Sequence, residues 1–486
     1  MAHQDEIELK LDVTPASAAM MEASPLLTGI AAHDHTHHAV YFDTPDQALR
    51  AAGLSLRIRR TDGRRIQTLK VAGAAAVGLF ARREWEREAI GDWPTIDESM
   101  PLHTLIGGFD PARLAPVFEV RVERRLRNLQ FGDAAIELAI DHGTVVAAGR
   151  SEDFCEVELE LKEGAPAALF GFARALAGIA PARCGILSKA ERGYRLVARL
   201  NESAVRAQAV PLTPDMTSAE GFEAIAAACL RQFRLNEILV RTRRDPAALH
   251  QARVALRRLR SAISMFRAML NDDRRDTMAE RLRSVGDGMA LARAIDVLID
   301  TTADEALRHQ LARHRMAAYD AAIAILNGPA CASLMLDLAE WIAIGPWRTA
   351  PVDADLCDVR LPDAAAAALD RFRRRIKQAG PLNERDDEER HRVRIAAKRL
   401  RYATEYFGPL FKSRKAAKRH AAISDALEIL QERLGRLNDI ATIPELFRQI
   451  GMDGAQPPID PAERETLIIE AAAACAAVLD AKRFWR

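Results

Sequence analysis

The chain has 486 residues, 49% of them hydrophobic, with a formal net charge of +1. That length exceeds one ordinary core, so two or three domains are expected. No apolar run approaches the roughly 20 residues of a membrane-spanning helix. The charge balance hides a split: residues 1–210 hold 25 basic against 29 acidic side chains, and the remainder 44 against 39. Neither half is extreme enough to name a partner, so local clustering has to do it. The start, MAHQDEIELK, lacks the basic-then-apolar pattern of a signal peptide. The six cysteines are scattered without a CxxC pair and read as reduced thiols, so a cytoplasmic location is expected.

Residues 4–12 read as the first strand. Strict alternation sends Glu6, Glu8 and Lys10 to one face and Ile7, Leu9 and Leu11 to the other. Neighbouring carboxylates repel unless a cation lies between them, and hard divalent ions bind between carboxylates and phosphates. A solvated edge strand would show the same pattern. A helix is expected at 14–30. His33, His35, His37 and His38 then fall in what reads as a polar connector, where the lack of a periodic face disfavours a metal site. Val40–Thr44 is a short strand ending at Pro45, and Leu54–Arg59 is another with Arg57 and Arg59 on one face. The Asp62-Gly63 turn leads into Gln67–Val71, which carries Lys70. Arg82–Glu88 presents Arg82, Glu84, Glu86 and Glu88 together.

Val117–Leu129 contains Arg121, Arg124, Arg125 and Arg127. The segment 135–141 is expected to turn at His142-Gly143 into 144–148. Cys155–Lys162 repeats the opening pattern with Glu156, Glu158 and Glu160, a helix is expected at 165–178, and Lys189 lies near the end of this half. Short antiparallel strands with one consistently charged face do not suit an open sandwich, whose inner face is apolar. They suit a closed barrel with a polar lumen and an apolar outer face. Clustered Arg and Lys ask for an anion with several phosphate-like centres, and the carboxylates ask for metal.

These segments resemble the CYTH superfamily, the triphosphate tunnel metalloenzymes. EIELKL matches the ExExK signature; YFDTP, LRIR, TLK, the RxExE strand at Arg82–Glu86, IELAID and CEVELELK follow in the family's order over residues 4–195. The resemblance implies an antiparallel β tunnel barrel with flanking helices, Mg²⁺ or Mn²⁺, and a triphosphate substrate. Carried over, Glu6, Glu8, Asp141, Glu156 and Glu158 would hold metal, with Glu160 on the same strand face. Lys10, Arg57, Arg59, Lys70, Arg82, Arg124 and Lys189 would grip phosphates, Arg121 being the alternative to Arg124. Catalysis would rest on Glu6, Glu8, Lys10, Glu158 and Lys189, with Glu158 or a second metal activating water.

Pro211 and Pro214 break the pattern, so domains are expected at 1–203 and 218–486 with a linker at 204–217. From Ser218 the period is helical, broken at Gly328-Pro329, Gly345-Pro346, Gly380-Pro381 and Gly408-Pro409. An internal repeat runs through this half: His250, Arg253, Arg257 and Arg260 recur 141 residues later as His391, Arg394, Lys398 and Arg401. Each set shares one helix face. Two such faces brought together by pseudo-twofold packing would form a basic groove. Arg293–Val297 likewise echoes Arg436–Ile440.

The HxxR…RRLR repeat and LGRLND resemble the CHAD domain, the conserved histidine α-helical domain, over 218–486. That resemblance implies an all-α bundle whose eight repeat residues bind inorganic polyphosphate, with association to polyphosphate granules as a corollary. The first copy departs at Gly286–Ala294. Together the two resemblances imply an α+β multidomain inorganic triphosphatase with a polyphosphate-binding module. The alternatives are hydrolysis of thiamine triphosphate or a nucleotide, a class IV-type adenylate cyclase, and a non-catalytic polyphosphate binder. Acidic lumen walls argue against a pure anion binder. Nucleic acid is disfavoured because no aromatic residues interleave with the arginines.

Overall fold

The computed structural model describes all residues except 1–3, 72–74, 77, 98–99, 101, 108, 350–353 and 453–459; the side chains of 4–6, 75–76, 81–82, 103–104 and 354 are also outside the description. The chain forms two compact units, Met1–Ser203 with Asn327–Gly345, and Ala204–Leu326 with Pro346–Arg486.

The first unit is built on ten strands: β1 Gln4–Val13, β2 His33–Asp43, β3 Leu54–Thr61, β4 Arg64–Val71, β5 Ala75–Ala76, β6 Leu79–Glu88, β7 Ala115–Phe131, β8 Ala134–Ala147, β9 Arg150–Glu163 and β10 Ala182–Cys184. Its helices are α1 Pro15–Glu22, α2 Ala48–Ala51, α3 Leu102–Leu105, α4 Ala167–Ile179 and α5 Lys189–Val197. The antiparallel sheet runs β10-β1-β9-β8-β7-β2-β3-β4-β6-β5, and β1 also pairs with β6, so the curled sheet meets itself. Period-two alternation then decides which side chains face inward. On β3, Leu56 and Ile58 pack outward with Phe42, Leu69 and Leu102, which leaves Arg57 and Arg59 on the inner face.

Several expectations need correction. The histidine segment is not a connector: His33–His38 is the first half of β2, paired with β7 and β3. Helix α1 ends at Glu22, well short of residue 30. No turn occurs at His142-Gly143, and β8 runs through it. Gly143 is needed there for a different reason: a Cβ would lie 2.2 Å from the ring of Phe154, its partner across the ladder. The inner face is also not polar throughout. Tyr41, Phe118, Val120, Val122, Phe154 and Tyr194 pack together on it, beneath α5. Gly193 of α5 admits Phe118, whose ring lies 2.1 Å from where a Cβ would be.

The remaining helices are α6 Ser218–Arg243, α7 Pro246–Met265, α8 Arg274–Gly288, α9 Ala290–Thr301, α10 Glu305–Asn327, α11 Pro329–Ile344, α12 Ala354–Cys357, α13 Leu361–Gln378, α14 Asp387–Phe407, α15 Arg414–Gln449 and α16 Pro461–Asp480. Capping boxes start α6 (Thr217 with Glu220) and α14 (Asp386 with Glu389), and Asp245 followed by Pro246 starts α7. The helix α11, which the sequence reading places in the helical half, packs with the first unit, where Arg174 of α4 binds Asp337 at 2.9 Å and Glu340 at 2.6 Å. The repeat's departure at Gly286–Ala294 is a real break: α8 stops at Gly288 and α9 restarts at Ala290, whereas the second copy runs as the single helix α15. Among the described residues, no single helix is long and apolar enough to cross a membrane.

Candidate active site and basic groove

Register assembles the first site. Lys10 of β1 lies opposite Glu158 of β9, Asp12 opposite Glu156, Asp141 of β8 opposite Glu156, and Arg124 of β7 opposite Asp141. Asp141, Glu156 and Glu158 each offer an oxygen within 4.8 Å of the others, the group among the described residues that could hold a metal ion. An all-carboxylate donor set fits a hard cation such as Mg²⁺.

Three cations meet the triad. Arg124 grips Asp141 through two bonds of 2.8 and 2.7 Å and also reaches Glu158. Lys189, the first residue of α5, lies 2.6 Å from Glu156, 2.7 Å from Asp141 and 2.8 Å from Glu158. Lys10 contacts Glu158 directly and stands 3.6 Å from Glu8 and 3.8 Å from Glu156. Burial alone would push Asp141 and Glu158 toward the neutral acid. The surrounding ammonium and guanidinium groups outweigh it: Lys189 and Arg124 hold Asp141 below its ordinary value, and Lys10, Lys189 and Arg124 hold Glu158 well below. Burial also opposes charge on Lys189, and Asp141, Glu156 and Glu158 reverse that and raise it.

The other expected residues spread around the same inner face. Lys70 pairs with Glu84 at 2.8 Å and Arg59 approaches Glu86 at 3.5 Å, so Glu84 and Glu86 face basic groups rather than the triad. Arg57 lies 3.4 Å from the Tyr41 hydroxyl. Arg57 first, then burial, lowers Arg59 to about 10. Arg121 points outward onto Glu119, which leaves Arg124 as the inward arginine. Glu160 pairs with Lys162 at 2.6 Å. Glu6 and Arg82 face each other in the β1–β6 register, and their side chains lie outside the described residues.

Sequence reasoning missed Arg192, one turn beyond Lys189, which binds Asp12 at 2.7 Å and approaches Glu156 at 3.5 Å. The i, i+3 spacing on a helix was the available signal. It also missed His37. Burial first, then Arg124 and Arg59, lower its pKa to about 3, so the ring stays neutral. The histidines do not converge on an ion: His35 binds Asp62, His37 binds Thr61 and His38 binds Glu119.

The second site is in the helical unit, where the charge of Arg257 on α7 acts on both Arg394 and Lys398 of α14. The two basic stripes therefore face each other. Arg257, Arg260, Arg394 and Lys398 make no side-chain hydrogen bond or ion pair among the described residues. Burial, then Arg394 and Arg257, lowers Lys398 to about 7, and burial, then Arg293, lowers His250 to about 4. His391 binds Asn438 at 2.9 Å, and Arg253 is anchored on the Gly286 carbonyl. Arg401 is partly engaged by Gln431 and Glu405. A cavity of about 460 Å³ beside this groove is lined by His250, Arg258, Arg401, Tyr402, Glu405 and the connecting segment 206–210.

Comparison with known proteins follows this division. Residues 4–194 match the CYTH domain family and residues 224–448 the CHAD domain family. Over 200 residues the chain is 30% identical to an inorganic triphosphatase of Haemophilus influenzae, which covers 39% of this chain and 54% of that protein. The chain thus spans about half the length of that curated relative. A crystal structure of the CHAD domain from the plant Ricinus communis is similar at 29% identity and a TM-score of 0.45, over 58% of this chain and 94% of that one. A Hippeastrum protein described as having a dominant triphosphatase activity is similar at 19% identity and a TM-score of 0.30, over 40% of this chain and 96% of that one. The chain carries a CYTH domain over residues 4–194 followed by a CHAD domain over residues 224–448.

Proposed function

We propose that the barrel hydrolyses inorganic triphosphate with a divalent metal ion, Mg²⁺ or Mn²⁺, and that the helical unit binds inorganic polyphosphate. The observation that carries the first part is the triad of Asp141, Glu156 and Glu158, each shared with a lysine or arginine that can also bind phosphate. The Haemophilus influenzae relative supports it.

An ion held by Asp141, Glu156 and Glu158, with Glu8 beside them, would supply charge stabilisation at the reacting phosphoryl group. The chain's own residues do the rest. Arg124, Lys189 and Lys10 exchange carboxylate partners for phosphate oxygens, and Arg57, Arg59 and Lys70 hold the remainder of the substrate. These cations are fixed by strand register before substrate arrives, so they stabilise developing charge without reorganising. Glu158, kept ionised by three cations, accepts a hydrogen bond from the attacking water and orients it in line. The test is phosphate release from tripolyphosphate, ATP and thiamine triphosphate, each with Mg²⁺ and with EDTA. Tripolyphosphate turnover that requires metal and is lost in Glu158→Gln supports the reading; turnover undiminished by EDTA refutes it.

The polyphosphate part rests on the facing stripes of unpaired Arg257, Arg394 and Lys398. In Arg257→Ala/Arg394→Ala/Lys398→Ala, polyphosphate affinity falls at every chain length while tripolyphosphate hydrolysis persists. Unchanged affinity would make the stripes a solvated surface.

A further inference from the structure

The repeat is symmetric in sequence but not in its surroundings. The 141-residue displacement maps Arg258 onto Arg399, Tyr402 onto Ser261, Glu405 onto Ser264 and Tyr406 onto Met265. Arg258 is neutralised by Glu405 and stacks over Tyr406 at 4.5 Å and Tyr402 at 5.5 Å. Residues 206–210 line the same cavity. At the equivalent place on the other side, Arg399 has neither carboxylate nor ring. The charges acting on it are those of Arg375, Arg260, Arg283 and Arg267.

Packing draws this cluster together. Arg371 of α13 donates to the carbonyls of Ser264 at 2.7 Å and Met265 at 3.0 Å, which pins α13 against the end of α7. Arg375 follows one turn on, Arg260 lies a turn before Ser264, and Arg283 comes from α8. Arg260, Arg371 and Arg399 are half-buried, while Arg267, Arg283 and Arg375 are exposed. Arg260, Arg267, Arg375 and Arg399 make no side-chain hydrogen bond or ion pair among the described residues, and the Nε of Arg371 is buried without a partner. Glu280 and Asp287 are the carboxylates that act on the cluster, with Glu280 3.6 Å from Arg283. Burial and the neighbouring Arg375 lower Arg371 to about 10, the mark of like charges held together. Arginines that served only solubility would spread into solvent; these are fixed by packing around a half-buried centre.

We propose that Arg260, Arg267, Arg283, Arg371, Arg375 and Arg399 form an anion-binding arm that extends the groove between α7 and α14 on this side only, and that it takes the further phosphates of a long polyphosphate chain. The arm rests on the polyphosphate reading of the helical unit. It adds a direction: the chain leaves past Ser264, because the opposite end carries Glu405. Nucleic acid fits less well, since the nearby aromatics Phe266 and Phe372 are buried and offer no stacking surface.

The experiment uses the full chain and the exposed triple variant Arg267→Ala/Arg283→Ala/Arg375→Ala. Binding of long-chain polyphosphate, short-chain polyphosphate and a single-stranded oligonucleotide is measured at two salt concentrations. The variant is expected to lose long-chain affinity by about tenfold or more, with the salt slope reduced by about 3, one per lost phosphate contact. Short-chain affinity and tripolyphosphate hydrolysis stay at wild-type values. Ser264→Glu, which restores at this end the carboxylate that Glu405 supplies at the other, produces the same selective loss without removing a side chain from the helix faces. Unchanged long-chain affinity, or an equal loss for short and long chains, overturns the arm. An oligonucleotide bound as tightly as long polyphosphate, and lost in the variant, overturns its assignment to polyphosphate. Failure of the wild-type chain to bind any polyphosphate overturns the parent reading, and is seen before any variant is made.

Discussion

Replacing Lys189 with Met tests the metal reading through stability rather than turnover. The ammonium is nearly buried and contacts Asp141, Glu156 and Glu158 within 2.8 Å. Removing one partner from a buried ion pair costs about 3–5 kcal/mol, because the remaining charge is left uncompensated. Arg124 and Lys10 still serve the cluster, so the lower end, about 3 kcal/mol, is expected. For a unit of this size that is a drop of roughly 6–12 °C in melting temperature. The deficit should appear in EDTA and shrink with Mg²⁺, which supplies the missing positive charge. It should also shrink as pH falls from about 7 to 5, since protonating an uncompensated carboxylate relieves it. The wild type has the opposite sign. Its depressed Asp141 and Glu158 stabilise the fold above the ordinary carboxylate range, and that contribution is lost only as pH falls below it. Thermal unfolding of both proteins with Mg²⁺ and with EDTA decides the matter. A deficit equal under both conditions would mean that the triad does not hold metal.

Arg124→Lys removes the two-pronged grip on Asp141, and tripolyphosphate turnover should fall on the order of 10²-fold with the fold retained; a wild-type rate would place Arg124 outside the chemistry. Tyr194 donates to the fully buried Asp43 at 2.7 Å, so Tyr194→Phe should cost about 1.5–3 kcal/mol in denaturant unfolding and leave the turnover number unchanged. Gly143→Ala drives a Cβ to within 2.2 Å of Phe154 and should destabilise by about 1–3 kcal/mol unless the ring can yield, which Phe154→Leu in the same chain would relieve. Substituting His35, His37 and His38 together with Gln should leave the metal requirement of hydrolysis unchanged, because each ring has its own partner; a shifted metal titration would contradict that.

Short-range periodicity carried much of this protein. Alternation in Glu6–Lys10 and Cys155–Lys162 marked strands with charged faces, and the repeated HxxR spacing marked two basic helices, because side-chain direction in a strand or helix depends only on local backbone geometry. Turn chemistry was less reliable. Gly143 reads as a turn from sequence, yet it sits mid-strand because a ring on another strand needs its space. The histidines of β2 read as a connector because polar side chains hide a strand whose pairing energy comes from its neighbours β3 and β7. Only tertiary structure decided that Arg124 faces inward and Arg121 outward, since register sets the face and a one-residue slip reverses it. It alone placed α11 with the barrel unit. It alone showed that two nearly identical repeats end differently, one at Glu405 and the other among arginines, because what surrounds a repeat is supplied by distant parts of the chain.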